Sequence, residues 1–238
     1  MLRDHFAHKQ TITTILADAK EDIEAAKAAM LCARADLEGY IARDPFFSMT
    51  YDAYCAAESA PEIVRRMSEA SLSANVGPMA AVAASIAWAG AEAMQDAGAS
   101  FGLIDNGGDI AVFSDRDVRI GIFAGNAPSS SKYAFILPPQ EKICGICTSS
   151  ATVGPSVSFG IADAVVCFSR NPAKADAWAT GLCNIITPEN FPPPGDADIS
   201  GVYAVAGDWI GTWGKLPQIV PAKVDTDLIT RGEAGLIQ

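Results

Sequence analysis

Asp176 and Thr180, in the segment ADAWAT, bring a carboxylate and a hydroxyl four residues apart. On a helix this spacing puts both oxygens on one face. That is a partial shell for Mg²⁺, which takes oxygen ligands and keeps several waters. The same pair also fits a polar helix face, or a threonine bonded back to its own helix. A second signal is GLIDNGGDIAVF (102–113), where Asn106, Gly107, Gly108 and Asp109 interrupt two apolar runs. Paired glycines make a hairpin turn, and without Cβ atoms they also let a ligand approach the backbone. The third is CTSSATVGPSVSFG (147–160), in which Thr148, Ser149, Ser150, Thr152, Ser156 and Ser158 offer hydroxyls, and Gly154 and Gly160 permit close approach. Such a stretch cradles phosphate through N–H groups and hydroxyls, or serves as a polar connection between strands.

Other chemistries find less support. Cys144 and Cys147 form a C-x-x-C pair, but KICGIC reads as a strand, in which residues three apart face opposite ways. Zinc would call for a second pair or nearby histidines, and the histidines are His5 and His8. Buried structural thiols are the better reading. Histidine acid–base catalysis requires the N-terminus to fold back into the site. No P-loop is present, and no G-x-G-x-x-G follows a strand. No residue is therefore assigned as nucleophile or general base.

The elements that must position these residues are legible in part. QTITTILA (10–17) reads as a strand. Asp18 and Glu21 resemble a capping box, and Ile23, Ala26, Met30, Ala33, Leu37 and Ile41 then form one apolar helix face ended by Asp44-Pro45. A second helix starts near Pro61, and a third runs from about Pro78 to Ala97 with Gly98 as its C-terminal cap. FGLID, DIAVF, VRIGIFAG, YAFIL, KICGICTSS and DAVVCFS are strand-like. Asn171 and Pro172 open a helix over NPAKADAWATGLCNII, FPPPGD is a stiff loop, and GVYAVAG and LPQIVPA are late strands. The class is α+β with an antiparallel sheet packed on helices, as one domain over residues 1–238.

Half of the residues are hydrophobic and 19% are charged, ample for a core. The net charge of −11 opposes binding to nucleic acid or anionic lipid. No apolar stretch reaches bilayer length. The start MLRDHFAHKQ lacks the apolar core of a secretory signal, which points to the cytoplasm.

In order along the chain, VGPMAAVAASIAWA, DNGGDIAVF, GICTSSATVGPSVSFGIADAVVCFS and ADAWATGL resemble an uncharacterised family of ApbE-like proteins, distant relatives of the FAD:protein FMN transferases. The resemblance runs from about residue 10 to the C-terminus. It implies a tunnelling-type α+β fold. In the transferases FAD lies in a cleft, Mg²⁺ sits by its pyrophosphate, and FMN passes to a threonine of an acceptor protein. The A-D-A-x-x-T match makes Asp176 and Thr180 Mg²⁺ ligands, and the G-G-D match places Gly107, Gly108 and Asp109 at the nucleotide cleft. T-S-G matches Thr148, Ser149 and Ser150 with its last position changed. The helix before G-G-D lacks the transferases' lysine, and their histidine after T-S-G has no counterpart. The resemblance thus implies FAD or FMN and Mg²⁺ as cofactors, with FMN transfer or FAD pyrophosphate cleavage as the activity. A non-catalytic flavin, pterin or nucleotide binder, and a homo-oligomeric interaction protein, are the alternatives.

Overall fold

The computed structural model describes residues 1–152, 160–225 and 229–230. The chain opens with the hairpin β1 (Leu2–His8) and β2 (Thr11–Ala17), then α1 (Lys20–Arg43), the short α2 (Phe46–Met49) and α3 (Glu62–Ala74). A 3₁₀ turn at Pro78–Ala81 leads into α4 (Val82–Asp96). There follow β3 (Phe101–Asn106), β4 (Asp109–Ser114), β5 (Val118–Gly121), β6 (Tyr133–Leu137), β7 (Gln140–Ser149) and β8 (Ala164–Ser169). The last elements are α5 (Pro172–Cys183), β9 (Ile199–Ala206), β10 (Trp209–Gly214) and β11 (Gln218–Pro221).

Eight strands form an antiparallel sheet in the order β1-β2-β3-β4-β7-β8-β9-β10, and a small sheet has the order β11-β6-β5. The large sheet is covered on both faces. Ile104, Ala111 and Phe113 meet α1, α3 and α4 on one side, and Cys147, Val165, Val202 and Ala204 meet α5 there. On the other side Leu103, Val112, Ile146 and Tyr203 meet Phe135, Leu137 and Ile120 of the small sheet. Side-chain alternation along each strand therefore sorts residues between two cores. No single helix among the described residues is long and apolar enough to cross a membrane.

Most expected elements form, and the apolar face of α1 is buried at Ile23, Ala26, Met30 and Leu37. Three differences stand out. Asp18 caps nothing: Ala19 precedes α1 without a side-chain cap, and the Asp18 carboxylate instead pairs with Arg116 and the N-terminal amine. The helix expected over 78–97 restarts at Val82 after the 3₁₀ turn. β1 and β10 were not expected; they are the two edges of the large sheet and are strands by their pairing with β2 and β9.

Candidate functional site

Asn106 and Asp109 face each other across β3 and β4 and close the two-residue turn. Gly107 and Gly108 both have positive φ, 71° and 105°, as the mirror-image hairpin turns demand. A Cβ at Gly107 would meet nothing within 4 Å, and one at Gly108 only the Thr148 Cβ at 3.9 Å. The segment is thus a hairpin turn whose outer side is open to a ligand.

Strand register assigns the side chains near this turn to the helix face. Asn106, Asp109 and Cys147 lie there, and the Asn106 amide donates to the Ala83 carbonyl at 2.9 Å. The Asp109 carboxylate accepts the Thr148 N–H at 3.2 Å. Because α4 restarts at Val82, its first N–H groups have no partners within the helix. Asp176 reaches them from α5: its carboxylate accepts the Ala84 N–H at 3.0 Å and also bonds the Ala83 N–H. It is held there because Asn171 caps α5 by accepting the Lys174 N–H at 3.0 Å, with Pro172 in the first turn. Asp176 lies on the buried side of α5, and Thr180 follows one turn on, half-buried.

Asp176 thus caps the start of α4, and Asp109 on β4 lies near enough to feel its charge. Burial raises Asp109 well above the ordinary carboxylate value, and the charge of Asp176 raises it further. Burial likewise pushes Asp176 up to about 7, against its bonds to the α4 N–H groups. Among the described residues neither forms an ion pair. Two like charges so placed are costly, and the cost is relieved either by holding a proton between them or by a bound cation. The oxygens of Asp176, Asp109 and Thr180 are the hard donors Mg²⁺ takes.

The hydroxyl-rich segment divides in two. Thr148 and the buried Ser149 end β7. Ser150 Oγ accepts the Thr152 N–H at 3.1 Å, and the Thr152 hydroxyl donates to Asp163 at 3.1 Å. Asp163 also accepts the Gly207 N–H at 2.7 Å, tying this loop to the β9–β10 turn. Gly160 lies against the end of α5, where a Cβ would stand 1.8 Å from the Cys183 carbonyl oxygen. Gly154, Ser156 and Ser158 lie outside the described residues.

The cysteines behave as structural residues. Cys144 faces the small sheet, and burial raises its thiol to about 12. Cys147 faces α5 opposite Cys167 and is raised mainly by burial. Among the described residues no group of three His, Cys, Asp or Glu side chains could hold a metal ion. The candidate Mg²⁺ ligands are instead two carboxylates and a hydroxyl, Asp109, Asp176 and Thr180. A surface cleft of about 480 Å³ lies elsewhere, where Arg66 stacks on Trp88 at 3.9 Å and pairs with Glu92 at 2.8 Å. Its lining also holds Arg170 and the acidic Glu62 and Asp96. Sequence reading missed the N–H groups of Ala83 and Ala84 as partners of Asp176, since no residue type signals a helix restart facing another helix. It also passed over Asp105 and Asp163, which support the two loops.

A family model described as AbpE bacteria matches residues 2–192. The chain is 63% identical to a UPF0280 protein of Methanocorpusculum labreanum over 98% of this chain and 100% of that one. It is 55% identical to a UPF0280 protein of Methanosphaerula palustris over 98% and 99%. Its fold is similar to that of the Pseudomonas stutzeri flavinyl transferase ApbE in its apo form, with a TM-score of 0.57 and 12% identity over 97% of this chain and 98% of that one. A mutant of the Vibrio cholerae flavin transferase ApbE gives a TM-score of 0.55 and 10% identity over 90% and 97%. A match over this much of the chain, with the ApbE-like architecture described above, leads to one conclusion: the chain belongs to the AbpE bacteria family, among the UPF0280 proteins, with an ApbE-like α+β fold.

Proposed function

We propose that this protein, acting as a single domain, binds a flavin dinucleotide together with Mg²⁺ and acts at its pyrophosphate. One observation carries the reading: the half-buried Asp109 and the buried Asp176 lie close enough for the charge of one to act on the other, with no ion-pair partner among the described residues, beside an open Gly107–Gly108 turn. The fold relation to flavin transferases adds support at the level of architecture. Asp176, Thr180 and Asp109 would hold Mg²⁺, which supplies positive charge against the pyrophosphate oxygens. Gly107 and Gly108 admit the ligand backbone-close, Asn106 fixes the turn to α4, and Thr148, Ser149, Ser150 and Thr152 border the phosphates. Such a site works by positioning and charge. Cleavage breaks one P–O bond of the pyrophosphate and passes the FMN phosphoryl group to water or to a hydroxyl of an acceptor protein, with AMP leaving.

A second reading, stoichiometric flavin or nucleotide binding without chemistry, is favoured by a specific observation. The Ser150 and Thr152 hydroxyls are engaged with each other and with Asp163, and among the described residues no histidine stands near Asp176. A homo-oligomer in the cytoplasm is the setting proposed for either reading.

Titration of the purified protein with FAD, FMN and ADP, with and without Mg²⁺, followed by product analysis, separates them. Mg²⁺-dependent FAD binding with release of AMP, abolished in Asp176→Ala, supports the catalytic reading. Tight binding without product after long incubation supports the second. Absence of binding by all three ligands refutes both.

A further inference from the structure

A row of four polar side chains crosses the sheet face opposite the helices and ends at the Gly107–Gly108 turn. His5 on β1 lies opposite Thr14 on β2, and Thr14 lies opposite Asp105 on β3. Thr230, far along the chain and buried, places its hydroxyl 2.8 Å from Thr14 Oγ1 and 2.7 Å from Asp105 Oδ2. Thr14 Oγ1 is in turn 3.1 Å from His5 Nδ1.

Each hydroxyl carries one hydrogen, and this fixes the direction of the row. Thr230 donates to Asp105, so Thr14 must donate to Thr230, and His5 Nδ1 must carry a hydrogen and donate to Thr14. The other Asp105 oxygen accepts the Gly108 N–H at 2.8 Å. Burial raises the Asp105 carboxyl, while the bonds from Thr230 and Gly108 and the charge of Arg3 act the other way. Two successive residues at positive φ have no steric preference of their own for one turn geometry. The bond from Gly108 to Asp105 selects one, and with it the direction in which Asp109 leaves the turn.

We propose that Asp105 is a positioning residue for the ligand-facing turn, and that Thr230 of the C-terminal segment is required to hold it in place. The inference rests on the reading that the Gly107–Gly108 turn faces the ligand. It makes Thr230 part of the site's support through Asp105 and Gly108.

The test uses the full chain with two variants at one position. Thr230→Val keeps the shape and removes the hydroxyl; Thr230→Ser keeps the hydroxyl. Two readouts are taken: hydrogen exchange of the Gly108 amide by NMR, and the affinity for ADP with Mg²⁺. The Val variant should show about tenfold faster Gly108 exchange and about tenfold weaker ADP binding, the size expected for one lost bond to a charged group. The Ser variant should match the wild type in both. Wild-type Gly108 exchange in the Val variant overturns the proposal, as does faster exchange with unchanged affinity, or failure of Ser to rescue. If wild-type protein binds no ADP, the nucleotide reading fails separately, and Gly108 exchange alone decides whether Thr230 positions the turn.

Discussion

Asp176→Asn should stabilise the metal-free protein, although it alters a residue proposed to be essential. The asparagine keeps an oxygen able to accept the Ala84 N–H, so the helix start stays capped while the buried charge is removed. Burial lifts the Asp176 carboxyl from 3.8 to about 7. At about 1.36 kcal/mol per unit, that is at most about 4 kcal/mol of penalty on the charged form. Asp109 shares the proton and the surroundings relax, so a gain of about 2 kcal/mol is the expected size. The sign follows from proton linkage. The folded chain holds this proton more tightly than the unfolded chain, so stability is undiminished below 3.8 and is lost as pH rises towards about 7. The variant should therefore match the wild type near about pH 4 and exceed it near about pH 8. Millimolar Mg²⁺ should raise wild-type stability at the higher pH and leave the variant unchanged, because a ligand stabilises only the state that binds it. Urea denaturation at both pH values, in chelator and in Mg²⁺, measures all four conditions. A variant less stable than wild type at the higher pH in chelator would refute the reasoning, since the carboxylate would then already have a compensating partner.

Three further outcomes can be checked on the same preparation. Gly160→Ala drives a methyl into the Cys183 carbonyl, and should cost about 2 kcal/mol or more in a urea melt because that carbonyl belongs to the backbone and has no rotamer to move to; a change within the error of the melt would show that the loop stem is not packed as described. Cys32 and Cys55 are exposed and the other four cysteines are buried, so a thiol reagent should modify two sites promptly in native protein and six after unfolding, with peptide mapping to identify the sites. Asn171→Ala removes the cap of α5 and should lower stability by about 1 kcal/mol, with weaker Mg²⁺ binding because α5 carries Asp176 and Thr180.

Much of the architecture was legible because it rests on local rules. The apolar spacing of α1, the Asn171-Pro172 start of α5 and the glycine-bearing β3–β4 turn each express a preference of a few consecutive residues. The edges escaped for the same reason. β1 runs LRDHFAH and is largely exposed or half-exposed, so it owes its strand conformation to pairing with β2 rather than to its own pattern. Asp18 looked like a cap by spacing, yet Arg116, distant along the chain, attracts its carboxylate instead.

The candidate site divides along the same line. Residue types and spacing alone determined that Asp176 and Thr180 share a helix face, that Gly107 and Gly108 turn the chain, and that Cys144 and Cys147 part to opposite sides of a strand. Only the tertiary structure decided that α4 restarts at Val82 and offers its N–H groups to Asp176, that Asp109 of β4 comes within reach of this carboxylate's charge, and that Thr230 closes a row of hydroxyls onto Asp105. Periodicity reports which way a side chain faces within its own element. Which distant group it then meets depends on sheet order and strand register, and these are settled by burial of two cores shared by the whole chain.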